Sequence, residues 1–178
     1  EKGAEIILTS GGMGPCRAGY YWVMHQYLLD EIGKKVKVIA FEPPLCDLRD
    51  FWRKLHRLRV SGGLSVKAFI QVIKVAWEKI KAIDDMEMQS HSIRPYEEKR
   101  GDTTRALWEA LQFVDEANSE KEVDEARQEG LRVLQEVRRD ESRDPVKIGI
   151  IGEIYVVLEP AANHYLQIML GEMGVYTD

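Results

Sequence analysis

The chain has 178 residues, 44% hydrophobic and 31% charged, a globular mix with enough apolar material for a core in one ordinary domain or a domain plus part of another. Its formal charge of -5 argues against a generic nucleic-acid binder, whose footprint is basic, so no nucleic acid is expected as a partner. Two cysteines far apart in sequence do not make a secreted disulfide scaffold, no apolar run approaches the ~20 residues of a membrane span, and no signal peptide is visible; the cytoplasm is the expected compartment, with no membrane partner.

In chain order, Glu5-Ile6-Ile7-Leu8-Thr9 is strand-like, and its continuous Ile6-Ile7-Leu8 run has the pattern of a strand buried on both faces. A glycine-rich loop, Ser10-Gly11-Gly12-Met13-Gly14-Pro15-Cys16-Arg17-Ala18-Gly19, follows. Tyr20, Val23, Met24, Tyr27, Leu28 and Ile32 then recur at helical spacing, and Gly33 supplies the stop. Val36 to Phe41 is the next strand, ended by Glu42-Pro43-Pro44. Two parallel strands joined by a helix make a right-handed βαβ unit over residues 1–47.

Residues 48–145 read as all-helical. Leu48, Phe51, Trp52, Leu55 and Leu58 mark one helix, broken at Ser61-Gly62-Gly63, and Val66, Phe69, Ile70, Ile73, Trp77, Ile80 and Ile83 mark a longer one. Ser90 to Arg100 reads as a polar connection. Leu107, Leu111 and Val114 give a third helix. Ser119 and Glu122 have capping-box spacing and open a fourth, with Val123, Ala126, Leu134 and Val137 inward, ended at Asp144-Pro145. Residues 146–178 return to the α/β pattern: a strand from Val146 to Ile151, a loop from Gly152 to Pro160, a helix from about Ala161 to Met173, and a further strand beginning at Val175. The expected fold is α/β, a partial parallel sheet of three to four strands with a large all-helical insertion between βα units. The chain opens at Glu1 and closes as a strand begins, and a lone starting strand would lack its partners, so the expectation is a piece of a longer protein.

The strand-to-helix turn at Cys16 gathers backbone N–H groups and the positive end of a helix dipole at a sheet's carboxyl edge, where open α/β sheets bind ligands. That setting favours thiolate, the form that attacks electrophiles and ligates metals, and Arg17 adds positive charge. No Gly-Lys-Ser/Thr follows, so the loop is not that of a nucleotide triphosphatase. Glycines 12, 14 and 19 do not match the dinucleotide fingerprint, and the absence of Cys-x-x-Cys disfavours a dithiol redox site. From this chemistry alone an inert buried loop cysteine and an active one are equally open.

The run Leu8-Thr9-Ser10-Gly11-Gly12-Met13-Gly14-Pro15-Cys16-Arg17-Ala18-Gly19-Tyr20-Tyr21 resembles the cysteine segment of the 2-hydroxyacyl-CoA dehydratase family, which includes the D-component-like proteins and benzoyl-CoA reductase subunits, and most of all its CoA-enzyme-activase-related branch. Lys147 to Tyr155, with Leu158-Glu159-Pro160 and Asn163-His164, is similar to the start of that branch's next α/β unit. Phe51-Trp52-Arg53-Lys54-Leu55 and Arg94-Pro95-Tyr96-Glu97 also fit, so the resemblance covers nearly the whole chain, with the two loops carrying the specificity. It implies flavodoxin-like domains holding a [4Fe-4S] cluster through cysteines from separate loops. An ATP-dependent activator, domain or protein, supplies the electron that passes to an acyl-CoA thioester, in a radical-type dehydratase or reductase. The resemblance puts Cys16 at a cluster-ligand position, with Gly12, Gly14 and Arg17 around the cofactor. Cys46 is a second metal-ligand candidate, although a structural role suits it better. Further ligands would lie outside this chain, which alone would hold no intact cluster or a labile one shared across a homodimer.

Glu153, where the third strand ends, is the candidate acid, base or ligand-binding carboxylate; capping of the loop backbone is its plainer role. Asn163 and His164 suit local capping. Tyr20 and Tyr21 either shield the cluster position or pack in the core. The basic helix with Arg49, Arg53, Lys54, His56, Arg57 and Arg59 would meet CoA phosphates or an acidic activator, or would be a solvated face. Trp52, Trp77 and Trp108 read as core or interface, and His25 and His91 suggest no metal site. Two other functions stay open: a non-catalytic α/β module docking an activator or partner subunit, and a thiol-nucleophile enzyme built on Cys16.

Overall fold

The structure, a computed structural model, describes residues 5–12, 16–42 and 47–177. The chain divides into two units, Glu1–Val66 and Lys67–Asp178. In the first, strand β1 (Ile6–Ser10) leads through a one-turn 3-10 helix (Arg17–Tyr20) to helix α1 (Tyr21–Glu31), strand β2 (Lys37–Phe41) and helix α2 (Leu48–Ser61). Gly33, at φ 69°, takes the left-handed conformation that ends α1.

Strands β1 and β2 are parallel, Ile6 opposite Lys37 and Ser10 opposite Phe41. The ladder extends at both ends, with Lys37 N–H donating to Glu5 O (3.0 Å) and Gly11 N–H to Phe41 O (2.8 Å). Because successive residues of a strand turn their backbone groups to opposite edges, Glu5, Ile7, Thr9 and Gly11 face β2, while Ile6, Leu8 and Ser10 face away. The outer edge of β2 is closed by side chains. Val38 N–H donates to Gln26 Oε1 (2.8 Å), Gln26 Nε2 donates to Val36 O (3.1 Å), and Lys54 Nζ donates to Ala40 O (2.8 Å). Val38 and Ala40 are buried, whereas Ile6, Ile7 and Leu8 of β1 stay 46%, 38% and 47% exposed. The run that reads as a doubly buried strand is therefore a half-bare edge strand, because no further strand or covering helix lies on it among the described residues.

Asp47 caps α2, its Oδ1 accepting from Asp50 N–H at 2.8 Å. Asp50 pairs with Lys54 (2.6 Å) and Arg53, which hold its carboxyl below the usual range, Lys54 foremost. An edge-to-face contact of Phe41 and Phe51, 6.1 Å between centroids, ties α2 to β2. Arg53, His56 and Arg57 are exposed, as a solvated basic face requires.

The second unit is built on helices α3 (Val66–Ile93, which begins at the unit boundary), α4 (Asp102–Glu116) and α5 (Glu120–Gln135). Its core interleaves Ala82, Met86 and Ile93 with Ala106, Ala110 and Val114 and with Val123, Ala126 and Leu134. Close packing depends on small residues: a Cβ on Gly130 would lie 3.0 Å from the Ala110 Cβ and against the Met86 side chain. The capping box forms, with Glu122 N–H donating to Ser119 Oγ (3.3 Å) and Glu122 Oε2 accepting from Asn118 N–H (2.7 Å). These bonds, with that of Asn118 first, lower the Glu122 pKa.

The expected polar connection at Ser90 to Arg100 is instead largely interior. Helix α3 runs on to Ile93, and Ser90, Arg94, Pro95 and Glu97 are buried. Gly101 has no side chain to cap α4, so Glu97 does it, its two oxygens accepting from Gly101 N–H and Thr103 N–H at 2.8 Å each. The chain ends with strand β3 (Val146–Ile148), short helices α6 (Ile154–Leu158) and α7 (Leu166–Glu172) and strand β4 (Val175–Thr177), parallel to β3 with Val146 opposite Val175. The strand expected through Ile151 stops at Ile148, the last residue for which β4 provides a partner, and Ile151 is 98% exposed. The helix expected from Ala161 begins only at Leu166: His164 and Tyr165 are left-handed (φ 56° and 58°). Asn163 competes there for the backbone, donating to Val156 O and Val157 O at 3.0 Å and accepting from Leu166 N–H at 3.1 Å.

Helix and strand are thus mixed, with the long helical stretch between strand pairs β1–β2 and β3–β4, all pairing parallel. Among the described residues no helix is long and apolar enough to cross a membrane.

Candidate functional site

Cys16 stands at the start of the one-turn helix leading into α1, extended at φ -77° and ψ 124°. Its carbonyl accepts from Gly19 N–H (3.3 Å), while its thiol makes no cap hydrogen bond and is free and exposed. The turn brings Gly19 onto Gly12: a Cβ on Gly19 would collide with the Gly12 carbonyl, 2.9 Å from its carbon. The glycine requirement at position 19 is steric and independent of any ligand, and it fixes the point from which Cys16 is presented at the carboxyl end of β1.

Of the residues singled out by sequence, Gly12, Cys16 and Arg17 belong to this turn, with Gly12 half-buried and Arg17 exposed. Gly14 and Cys46 lie outside the described residues. Tyr20 is 67% exposed, on the surface rather than in the core. Glu153 belongs to the second unit, where its Oε2 accepts from Tyr155 N–H (3.0 Å) and Val156 N–H (3.2 Å) at the start of α6. Asn163 fills its expected local capping role at α7.

Glu42 is the residue that sequence reasoning passed over. It follows β2 directly and its carboxylate rests against Gly11, where a Cβ would displace it. Its Oε2 is buried and has no hydrogen-bond partner among the described residues. It also lines a cleft of about 600 Å³ that runs along β2 beneath α2. The available signal was its position, an acidic residue ending the second strand of a βαβ unit.

A [4Fe-4S] cluster takes a cysteine thiolate on each iron. The chain has two cysteines in all, and among the described residues no group of three His, Cys, Asp or Glu side chains converges to hold a metal. The donors present do not fit a whole cluster; the exposed Cys16 thiol fits one ligand position. Comparison of the chain with protein-family models, curated proteins and solved structures finds no match.

Proposed function

We propose that this chain is an iron–sulfur component of the 2-hydroxyacyl-CoA dehydratase type, with a partial flavodoxin-like parallel sheet of three to four strands in the whole protein and Cys16 as one thiolate ligand of a [4Fe-4S] cluster. The observation that carries the proposal is the Cys16 thiol itself: exposed, engaged in neither a disulfide nor a cap, and presented at a sheet's carboxyl end by a turn that glycine alone permits. Remaining thiolates come from outside the chain, from a second copy or a larger assembly. The bound cluster supplies one-electron chemistry, here assigned to an acyl-CoA substrate with an ATP-dependent activator as electron source. The contribution of this chain's own residues is to hold the thiol in place. Anaerobic reconstitution with iron and sulfide tests the reading. Wild type should take up labile, sulfide-bridged iron shared between copies, and Cys16→Ala should lose it. Equal iron content and equal spectra in the two proteins would contradict the ligand role.

The bare β1 edge favours a second reading, an interaction module that docks an activator or partner subunit through Ile6 to Leu8 without chemistry of its own. Under that reading Cys16→Ala leaves partner binding and function intact, while a charge at Leu8 abolishes both.

A further inference from the structure

We infer that the outward face of α3 docks an amphipathic helix of a partner protein, one whose apolar seam is bordered by acidic side chains. This goes beyond the Cys16 reading and does not depend on it, since every residue involved lies in the second unit.

Helix α3 has two faces with different fates. Ala82 and Met86 are fully buried in the helical core, and Val75 packs against it. At about 100° per residue, Ile70, Ile73, Trp77 and Ile80 fall on the other side of the helix. These four are between 44% and 60% exposed, so the core is complete without them. Their spacing of three, four and three residues is that of successive a and d positions in a heptad. Such a narrow stripe is the kind that one neighbouring helix covers. Trp77 stands within it, a residue type that anchors protein interfaces.

Charge decides which kind of helix fits. In that register the e positions bordering the seam are Lys67, Lys74 and Lys81, all exposed. Lys67 and Lys74 have no ion-pair partner among the described residues, and Lys81 pairs with Glu78 of its own helix at 2.6 Å. The g positions on the other border are Phe69, Ala76 and Ile83, which carry no charge. A second copy of the chain is a poor occupant in either direction. In an antiparallel pair e meets e, so lysines meet lysines; in a parallel pair e meets g, so lysines lie on apolar side chains. A helix with Glu or Asp at its own e or g positions meets the lysine row with opposite charge. An anionic lipid surface also attracts lysines and tryptophan. Here, however, the cations stand on one border only, and the next two seam positions are Asp84 and Glu87, both exposed. Those carboxylates end the apolar seam, so the partner needs a helix of about two heptads.

Fluorescence anisotropy with labelled synthetic helices tests the assignment. Both peptides carry Leu at a and d; one has Glu at e and g, the other Lys. Wild type should bind the Glu peptide about tenfold more tightly than the Lys peptide, with the gap narrowing as salt rises. Trp77→Ala, on the exposed face, should weaken Glu-peptide binding about tenfold or more with an unchanged melting temperature. Lys67→Glu combined with Lys74→Glu should reverse the preference, and this decides the question if Trp77→Ala does not fold. No binding of the Glu peptide to wild type, equal binding of the two peptides, or undiminished binding by folded Trp77→Ala would overturn the inference. So would a Trp77-dependent dimer in sedimentation, which assigns the face to a second copy, or Trp77-dependent pelleting with phosphatidylglycerol vesicles, which assigns it to a membrane. Glu-peptide binding by Cys16→Ala keeps this outcome separate from that of the cluster reading.

Discussion

The two strands of the first unit, paired in one parallel ladder, are finished to different degrees. Strand β2 has its outer N–H and C=O groups closed by Gln26 and Lys54, and its Val38 and Ala40 side chains are buried. Strand β1 opens on three consecutive large apolar residues, yet it leaves Ile6, Ile7 and Leu8 between 38% and 47% exposed. The helical core of the second unit is complete by contrast, with Ala82, Met86, Ala110 and Leu134 at 0% exposure. A native edge strand is usually protected, and among the described residues that protection is seen on β2, while β1, which leads into the Cys16 turn, keeps its apolar side chains half exposed.

Equal truncations in the two regions should break that comparison most sharply. Leu134→Ala empties a filled site and should cost about 2–5 kcal/mol in denaturant unfolding. Leu8→Ala removes a side chain that is already half in water and should cost under about 1 kcal/mol. Equal losses would mean that β1 is buried in solution. Next in size is Gly19→Ala, whose methyl meets the Gly12 backbone; a loss of about 1–3 kcal/mol is expected, together with an altered alkylation rate at Cys16. Gln26→Ala should cost about 1–2 kcal/mol for two backbone groups left without their partner. It should also make self-association, followed by light scattering, depend more steeply on concentration, because a second strand edge is then bare.

The smallest expected effect is on pH dependence. Burial, and then the nearby Arg94 charge, lower the His91 pKa below its ordinary value of 6.5. The unfolded chain therefore binds the proton more readily, and the stability linked to neutral His91, fully present above 6.5, is lost as pH falls from there through the lowered folded value. Thermal melts of wild type between neutral and mildly acidic pH should show this decline, and His91→Gln should flatten it. An unchanged slope would remove His91 as the cause.

How much of this was legible in sequence differs by element. The βαβ order, the helical middle and the Ser119–Glu122 cap could be read because periodicity, glycine stops and capping spacing are local signals. The burial of Arg94 and Glu97 could not. It comes from Glu97 capping an α4 whose own cap position is Gly101, a tertiary solution to a local deficit. The break before α7 was hidden for a similar reason, since an Asn163 side chain binding Val156 O and Val157 O has no helical periodicity to betray it. At the candidate site, the place of Cys16 before a helix was legible from the order of strand, glycine-rich loop and helix, whereas the packing of Gly19 on Gly12 that shapes the turn was not. Glu42 was missed because its meaning depends on contact with Gly11, across the ladder from it.

The role of Cys16 as a ligand is tested most directly by its alkylation rate before and after anaerobic reconstitution with iron and sulfide, read by peptide mass spectrometry. Rapid labelling of the exposed thiol in the iron-free chain and strong protection after reconstitution, reversed by a chelator, is the predicted result. The same labelling rate in both states, with iron bound, would contradict it.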